Sequence, residues 1–262
     1  MTAILPITET TEIFYPSGDG EPMAETYDHV YAIISTLEVL KQYLTGRQAT
    51  VLGNQFLYYS QGFLRLRVAP DVMVIFDVAP GGRDNYKIWS EGQVPVVIFE
   101  MTSPGTEDND KSFKKNLYAQ LGVKEYWLFD PKGEWIPEKL RGYRLVWEAI
   151  YEPITDSRSE PLQLRLAVED KLIGFYREDT GEKLLLPDEL VAALDQEVQA
   201  RQEAEAQAEA ERERAEAERE RAEAERERAE AERERAEAER ERRKEMEALL
   251  ARYREQFGQL PE

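Results

Sequence analysis

The segment from residue 93 to residue 131 constrains the fold most, because it reads as a strand, a helix and a second strand, QVPVVIFEMTSPGTEDNDKSFKKNLYAQLGVKEYWLFDP. One carboxylate, Glu100, ends the first apolar run, where burying a charge is costly unless it is paired or holds a metal. A second acid, Asp71, opens the earlier apolar run APDVMVIFDV. The two strands therefore predict two carboxylates that meet in space, as in a magnesium site.

Composition narrows the chemistry open to such a site. The chain has no cysteine and one histidine, His29, which argues against disulfide scaffolds, thiolate zinc sites and a Ser-His-Asp triad. Any metal chemistry must therefore rest on carboxylates. The sequence has neither a signal-peptide pattern nor an apolar run of about 18 residues, so we expect a cytoplasmic protein without a membrane span.

The net charge of −19 argues against strong general affinity for nucleic acid, because that affinity depends on Lys and Arg replacing phosphate counterions. A nuclease with this composition needs a local basic patch. Six residues are candidates for the patch: Arg65, Arg67, Arg83, Lys87, Lys111 and Lys115.

The chain divides into three predicted parts. Residues 1–22, with several prolines and glycines, predict an extended N-terminal arm. Residues 23–190 predict one domain, which begins with an amphipathic helix from Tyr27 to Leu44, closed by Gly46, and continues with strands near 50–52, 55–59 and 63–68. Short strands after Asp130 are expected to extend the same sheet. Residues 191–262 predict a charged helical tail.

The tail repeats the heptad RAEAERE four times between residues 214 and 241. Its alanines lie two apart, which does not make the three-four seam of a coiled coil. Arg–Glu pairs at i,i+4 and Glu–Arg pairs at i,i+3 stabilise an isolated helix instead. The pattern favours a solvated single helix over a weak self-associating coil or a disordered tail.

The helix that follows the Glu100 strand is expected to begin near Thr106 and to end at Gly122. Its apolar arc is formed by Phe113, Leu117 and Leu121. At 100° per residue, Lys114 is turned inward beside this arc, whereas Lys111 and Lys115 lie further round. A lysine on the buried side of a helix usually has an acidic partner or a chemical task.

Several of these motifs together resemble one protein family. The stretches PDVMV at 70–74 and VVIFEMTSPGT at 96–106, then Asp110, Lys114 and Tyr118, then GVKEYWLFDP at 122–131, are similar to the Uma-two family of restriction endonucleases, a branch of the PD-(D/E)xK nuclease superfamily. GEPMAETYDHV, with Glu25 and His29, resembles the family's N-terminal helix entry. The resemblance covers approximately residues 20 to 190.

The resemblance implies an α/β fold, a restriction-endonuclease-like core with a central mixed sheet flanked by helices, here followed by the long charged helix. It implies a DNA endonuclease that uses Mg²⁺, with Mn²⁺ as an alternative, to hydrolyse phosphodiester bonds. Asp71, Glu100 and the Met101 carbonyl would hold the ion. Candidate auxiliary residues are Glu25, His29 and Asp110, and candidate nucleic-acid contacts are Lys111 and Lys115.

The sequence departs from the superfamily pattern at Thr102, which stands where a lysine is expected two residues after Glu100. Lys114 is the candidate replacement, with Asp71 and Glu100 as the other catalytic residues. Asp71 as a simple strand start, Glu100 as a structural ion-pair partner of Lys114, and Tyr118 as a core aromatic remain alternatives.

The departure also leaves a second function open, that of a noncatalytic nucleic-acid-binding or scaffolding protein on the same fold. We expect a homodimer through the core, and the tail is a candidate for binding itself or another protein.

Overall fold

The computed structural model describes residues 13–20, 25–102 and 109–258, apart from the side chains of residues 109–111 and 257. Of the predicted N-terminal arm, only residues 13–20 belong to this part, and they contain neither helix nor strand. The chain forms two compact units, Met1–Val191 and Ala192–Glu262.

The described elements follow one another in chain order. The helices are α1 Tyr27–Tyr43, α2 Ile88–Glu91, a π-helix Asn109–Lys114, α3 Lys115–Leu121 and α4 Pro187–Phe257. The strands are β1 Ala49–Gly53, β2 Leu57–Tyr58, β3 Arg67–Val68, β4 Val72–Phe76, β5 Tyr86–Lys87, β6 Val97–Met101, β7 Glu125–Phe129, β8 Leu140–Trp147, β9 Ile150–Ile154, β10 Arg158–Ser159, β11 Leu164–Glu169, β12 Leu172–Arg177 and β13 Lys183–Leu184.

The central sheet has six strands in the order β1-β4-β6-β7-β8-β9. β6 and β7 are parallel, as expected when a segment containing a helix joins them, and the other neighbours in this sheet are antiparallel. The sheet is therefore mixed, as the resemblance implied. The later strands only partly follow expectation: β8 and β9 extend this sheet, whereas β10–β13 form a separate four-stranded sheet.

Other elements pack on both faces of the central sheet, and a separate hydrophobic core forms on each face. On one face, α1 and the β10–β13 sheet pack around residues such as Val97, Phe99 and Phe175. On the other face, Ile98 packs with Tyr118 of α3 and with the small β3-β2-β5 sheet. Side chains alternate along a strand, so Glu100 falls on the same face of β6 as Ile98 and hence on the α3 side.

Helix α1 has nearly the predicted bounds, since Leu44 caps it and Gly46 follows with φ of +82°. The spacing of three and four residues along this helix predicts an apolar stripe that includes Val30 and Ile34. Both residues are exposed, so this part of the prediction is wrong. The face buried against the sheet instead includes Ala32, whose small side chain allows close approach. Other buried residues of this helix are His29, Ser35, Thr36, Val39 and Leu40.

The predicted end of the helix after β6 is confirmed, because Gly122 is its C-cap and has a left-handed conformation. Its predicted start near Thr106 lies outside the described residues. Phe113 is 53% exposed, so its predicted inward position is wrong. The reason is that residues Asn109–Lys114 form a π-helix, whose i→i+5 hydrogen bonds give a smaller rotation per residue than the 100° of an α-helix. Side-chain directions calculated at 100° per residue are therefore wrong for this segment.

The tail is one continuous helix through all four heptads, and its described side chains between residues 201 and 256 are exposed. None of the helices in the described part of the chain is both long enough and apolar enough to cross a membrane.

Candidate active site

Asp71 and Glu100 lie side by side where two neighbouring strands meet. Asp71 directly precedes β4, Glu100 lies in β6, and the two strands pair antiparallel. The Met101 backbone N–H donates to Asp71 Oδ2 at 2.7 Å, and the Asp71 backbone N–H donates to Glu100 Oε2 at 3.4 Å. The two acids therefore meet at the same place in the sheet.

Glu100 is 1% exposed, yet its charge is compensated. Lys114 Nζ lies 2.9 Å from Glu100 Oε2, and the Tyr118 hydroxyl donates to Glu100 Oε1 at 2.7 Å. Lys114 and Tyr118 are four residues apart, so they share one helix face and reach the same carboxylate. A buried carboxylate needs both an opposite charge and hydrogen bonds, and this helix supplies them.

Thr102, the residue in place of the expected lysine, belongs to the backbone pairing of β6 with β7. Its N–H donates to the Phe129 carbonyl at 2.7 Å, and its hydroxyl lies 3.4 Å from the same oxygen. A threonine supplies no cation. The positive charge beside Glu100 comes instead from Lys114, whose side chain is 12% exposed.

The two auxiliary candidates on the first helix are close to each other. His29 Nε2 lies 3.8 Å from Glu25 Oε2, and His29 is 5% exposed. His29 also lines a small cavity of about 50 Å³ together with Thr102 and Asp130. The entry of the first helix thus approaches the end of β6. The third candidate, Asp110, has its side chain outside the described residues.

Two features of this region were missed from the sequence. One is the Tyr118 hydroxyl on Glu100, which the spacing of four from Lys114 could have indicated. The other is Asp130 at the end of β7, which organises the loop that follows. Its carboxylate accepts backbone N–H groups from Lys132, Gly133, Trp135 and Ile136. No periodicity signals that arrangement.

A protein-family model for Uma2, described as "Putative restriction endonuclease", matches residues 5–173, which is more than half of the chain. The chain belongs to the Uma2 family. Membership confirms the resemblance and the restriction-endonuclease-like α/β fold, and it makes the protein a member of a nuclease family.

No curated protein matches this Uma2 chain. A solved structure similar to it is the crystal structure of a putative nuclease belonging to DUF820 from Anabaena variabilis ATCC 29413. The two are 17% identical, the match covers 55% of this chain and 77% of that one, and the TM-score is 0.37.

The chemistry of the predicted ligands of this Uma2 protein can be compared with what a hard divalent cation requires. Within the described residues, no three His, Cys, Asp or Glu side chains gather into a cation site. Mg²⁺ nevertheless binds through one or two carboxylates and retains several waters. The donor set predicted from the sequence, two carboxylates and one backbone carbonyl, would therefore suit Mg²⁺ better than ions that need a full cage of protein ligands.

Four of the six basic residues predicted for nucleic acid have a local partner in the part of the chain that the structure describes. Lys115 Nζ lies 3.6 Å from the centre of the Tyr143 ring, and the Arg67 guanidinium lies 4.1 Å from that of Phe56. Arg83 pairs with Glu91 at 3.1 Å, Lys87 lies 5.6 Å from the Tyr15 ring centre, and Arg65 is exposed. The side chain of Lys111 lies outside the described residues. A role of Lys111 and Lys115 in DNA binding stays a prediction.

Proposed function

We propose that this protein is a magnesium-dependent DNA endonuclease that hydrolyses phosphodiester bonds. The observation that carries the proposal is the placement of a lysine and a second acid beside Glu100, with Lys114 Nζ 2.9 Å from Glu100 Oε2 and the Asp71 backbone nitrogen 3.4 Å from the same oxygen. These are the residue types that metal-assisted phosphodiester hydrolysis requires.

In this proposal Asp71, Glu100 and the Met101 carbonyl would hold Mg²⁺ or Mn²⁺. Such an ion, when bound, polarises the scissile phosphate and lowers the pKa of a coordinated water. Asp71 Oδ2 already accepts the Met101 N–H at 2.7 Å, which fixes the direction of that carboxylate. A fixed carboxylate loses little conformational freedom on binding an ion.

Lys114 provides the third catalytic group. Its ammonium orients the attacking water and stabilises the negative charge that develops on the phosphoryl oxygens. Lys114 is 12% exposed, whereas Glu100 is 1% exposed. The lysine therefore lies on the side of the carboxylate that is more accessible to a substrate.

The charges explain how so acidic a chain can accept DNA. Asp71, Glu100 and Lys114 together carry a formal charge of −1, and a divalent ion changes that to +1. DNA phosphate is therefore repelled by the empty site and attracted by the loaded one. The net charge of −19 makes this local reversal more important than in a basic nuclease.

Plasmid cleavage in Mg²⁺, Mn²⁺ or chelator tests the proposal, with Asp71→Asn and Glu100→Gln as variants. We expect cleavage by the wild-type protein only with an added ion, and none by either folded variant. Wild-type protein that binds DNA without cutting it in either ion would favour the noncatalytic alternative. Normal cleavage by one variant would contradict the assignment of that residue.

A further inference from the structure

The contacts of Glu100 affect which divalent ion the proposed site would bind more tightly. We infer that Tyr118 is a positioning residue that reserves one oxygen of Glu100, so that the carboxylate offers a single oxygen to an ion and the site prefers Mg²⁺ to Ca²⁺. The inference rests on the proposed function, because it assumes that Glu100 is a metal ligand.

Tyr118 is fixed on several sides. It is completely buried, its hydroxyl donates to Glu100 Oε1 at 2.7 Å, and its ring meets that of Tyr126 edge-on at 5.2 Å between centroids. Its carbonyl accepts the Val123 N–H at 3.0 Å, just beyond the cap at Gly122. The hydroxyl therefore cannot move far from Oε1 without moving the end of α3.

The two oxygens of Glu100 are thereby made different. Oε1 is held by Tyr118 in the buried core on the α3 side. Oε2 lies 2.9 Å from Lys114 Nζ and 3.4 Å from Asp71 N, so it faces the residues that would share an ion. Bidentate binding through both oxygens would make the ion share Oε1 with the buried Tyr118 hydroxyl, and this competition disfavours it.

The difference between the two Glu100 oxygens should affect Ca²⁺ and Mg²⁺ binding differently. Ca²⁺ takes six to eight oxygen ligands in flexible geometry and often uses both oxygens of a carboxylate, whereas Mg²⁺ demands a near-octahedral shell and takes one oxygen per carboxylate. A carboxylate held to one oxygen by Tyr118 suits the second pattern. Removing the Tyr118 hydroxyl takes one buried hydrogen bond from Oε1 and so favours the first pattern at Glu100.

Tyr118→Phe tests the inference in the full chain, since phenylalanine keeps the ring in the core and removes only the hydroxyl. Titration calorimetry would measure the Mg²⁺ and Ca²⁺ affinities of the protein without DNA. We expect the ratio of Ca²⁺ to Mg²⁺ affinity to rise on the order of tenfold, as changes around metal ligands commonly do. If Tyr118→Phe does not unfold cooperatively, Tyr118→Met replaces it under the same criterion.

Tyr86→Phe is a matched control. Tyr86 is also completely buried, belongs to the same core as Tyr118, and donates its hydroxyl to the Gln93 carbonyl at 2.9 Å. Burial raises the pKa of Tyr86 to about 12, so this tyrosine stays protonated under the assay conditions. The control therefore loses one buried hydrogen bond away from Glu100, and we expect an unchanged ratio of ion affinities.

Ion affinities of the Tyr118 and Glu100 variants distinguish an error about Tyr118 from an error about the metal site itself. An unchanged affinity ratio in folded Tyr118→Phe, with both ions lost in Glu100→Gln, would overturn the role of Tyr118 and leave the metal site in place. Wild-type affinity for both ions in Glu100→Gln would instead remove Glu100 from the site. A rise in the ratio in Tyr86→Phe equal to that in Tyr118→Phe would also overturn the inference.

Discussion

Glu100 and Lys114 form a buried ion pair whose members differ in their access to water. Glu100 is 1% exposed and Lys114 is 12% exposed. Removing one partner of a buried pair is costly because the remaining charge is left without compensation. The cost therefore depends on which charge remains, and Glu100 is the one that cannot reach solvent.

We predict that Lys114→Met lowers the free energy of unfolding by about 3–5 kcal/mol, because it leaves Glu100 charged and buried. Glu100→Gln should cost less, since Lys114 can turn toward water. Urea unfolding of both single variants and the double variant measures the difference. A double variant whose loss equals the sum of the two single losses would contradict a direct interaction.

Cleavage kinetics should also distinguish the role of Lys114 from that of Lys115. We predict that Lys114→Ala lowers turnover on the order of a hundredfold, as expected for a positioned acid-base or electrostatic group. Lys115→Ala, which removes the cation from the Tyr143 ring, should change DNA binding and its salt dependence only modestly. The reverse result in a plasmid-cleavage assay would mean that α3 presents a different face to the site.

At the scale of elements, the pairing of β7 with β8 depends on one glycine. Gly142 lies directly opposite Trp127 in the register of the two strands. A Cβ at Gly142 would lie 2.6 Å from the Trp127 ring, which is closer than such atoms approach. The large indole can lie across β8 only because its neighbour there has no side chain.

We predict that Gly142→Ala lowers the free energy of unfolding by about 1–3 kcal/mol, through overpacking against Trp127. The control is Gly82→Ala, because a Cβ at Gly82 meets nothing within 4 Å and Gly82 has no positive φ. Chemical denaturation of both variants provides the comparison. Equal midpoints would mean that Trp127 moves aside at no cost.

The elements also explain which parts of the site could be predicted from the sequence. The proximity of Asp71 and Glu100 could be predicted because Asp71 opens one apolar run and Glu100 ends another, which is a local signal. Phe113 was placed wrongly because the π-helix departs from 100° per residue, and the sequence carries no marker of it. The Tyr118 contact depends on how far α3 lies from β6, and spacing along the chain does not contain that distance.

At the scale of the whole molecule, the long helix α4 contributes to both units, and each part can be considered by itself. Its first residues belong to the unit Met1–Val191, where Asp188 accepts the Tyr31 hydroxyl at 2.8 Å and Glu189 pairs with Lys183 at 2.6 Å. Beyond residue 200, the described side chains are exposed and the repeats offer little apolar surface for a core.

We predict that a chain ending at Ala200 unfolds cooperatively and keeps its cleavage activity, while a chain ending at Leu186 is less stable. The shorter chain loses the Tyr31–Asp188 and Lys183–Glu189 contacts, whereas the longer one keeps them. Calorimetric melting of both proteins checks this. Loss of a cooperative transition in the chain ending at Ala200 would show that the repeats contribute to the core's stability.

The separation of Lys114 from Glu100 affects how such proteins are found in genomes. A pattern that demands a lysine two residues after the strand acid rejects this chain at Thr102. A pattern that accepts an acid at the end of an apolar strand, followed by lysine and tyrosine four apart on the next helix, retains it. A survey built on the first pattern would therefore miss any chain that has the arrangement of Glu100, Thr102 and Lys114 described here.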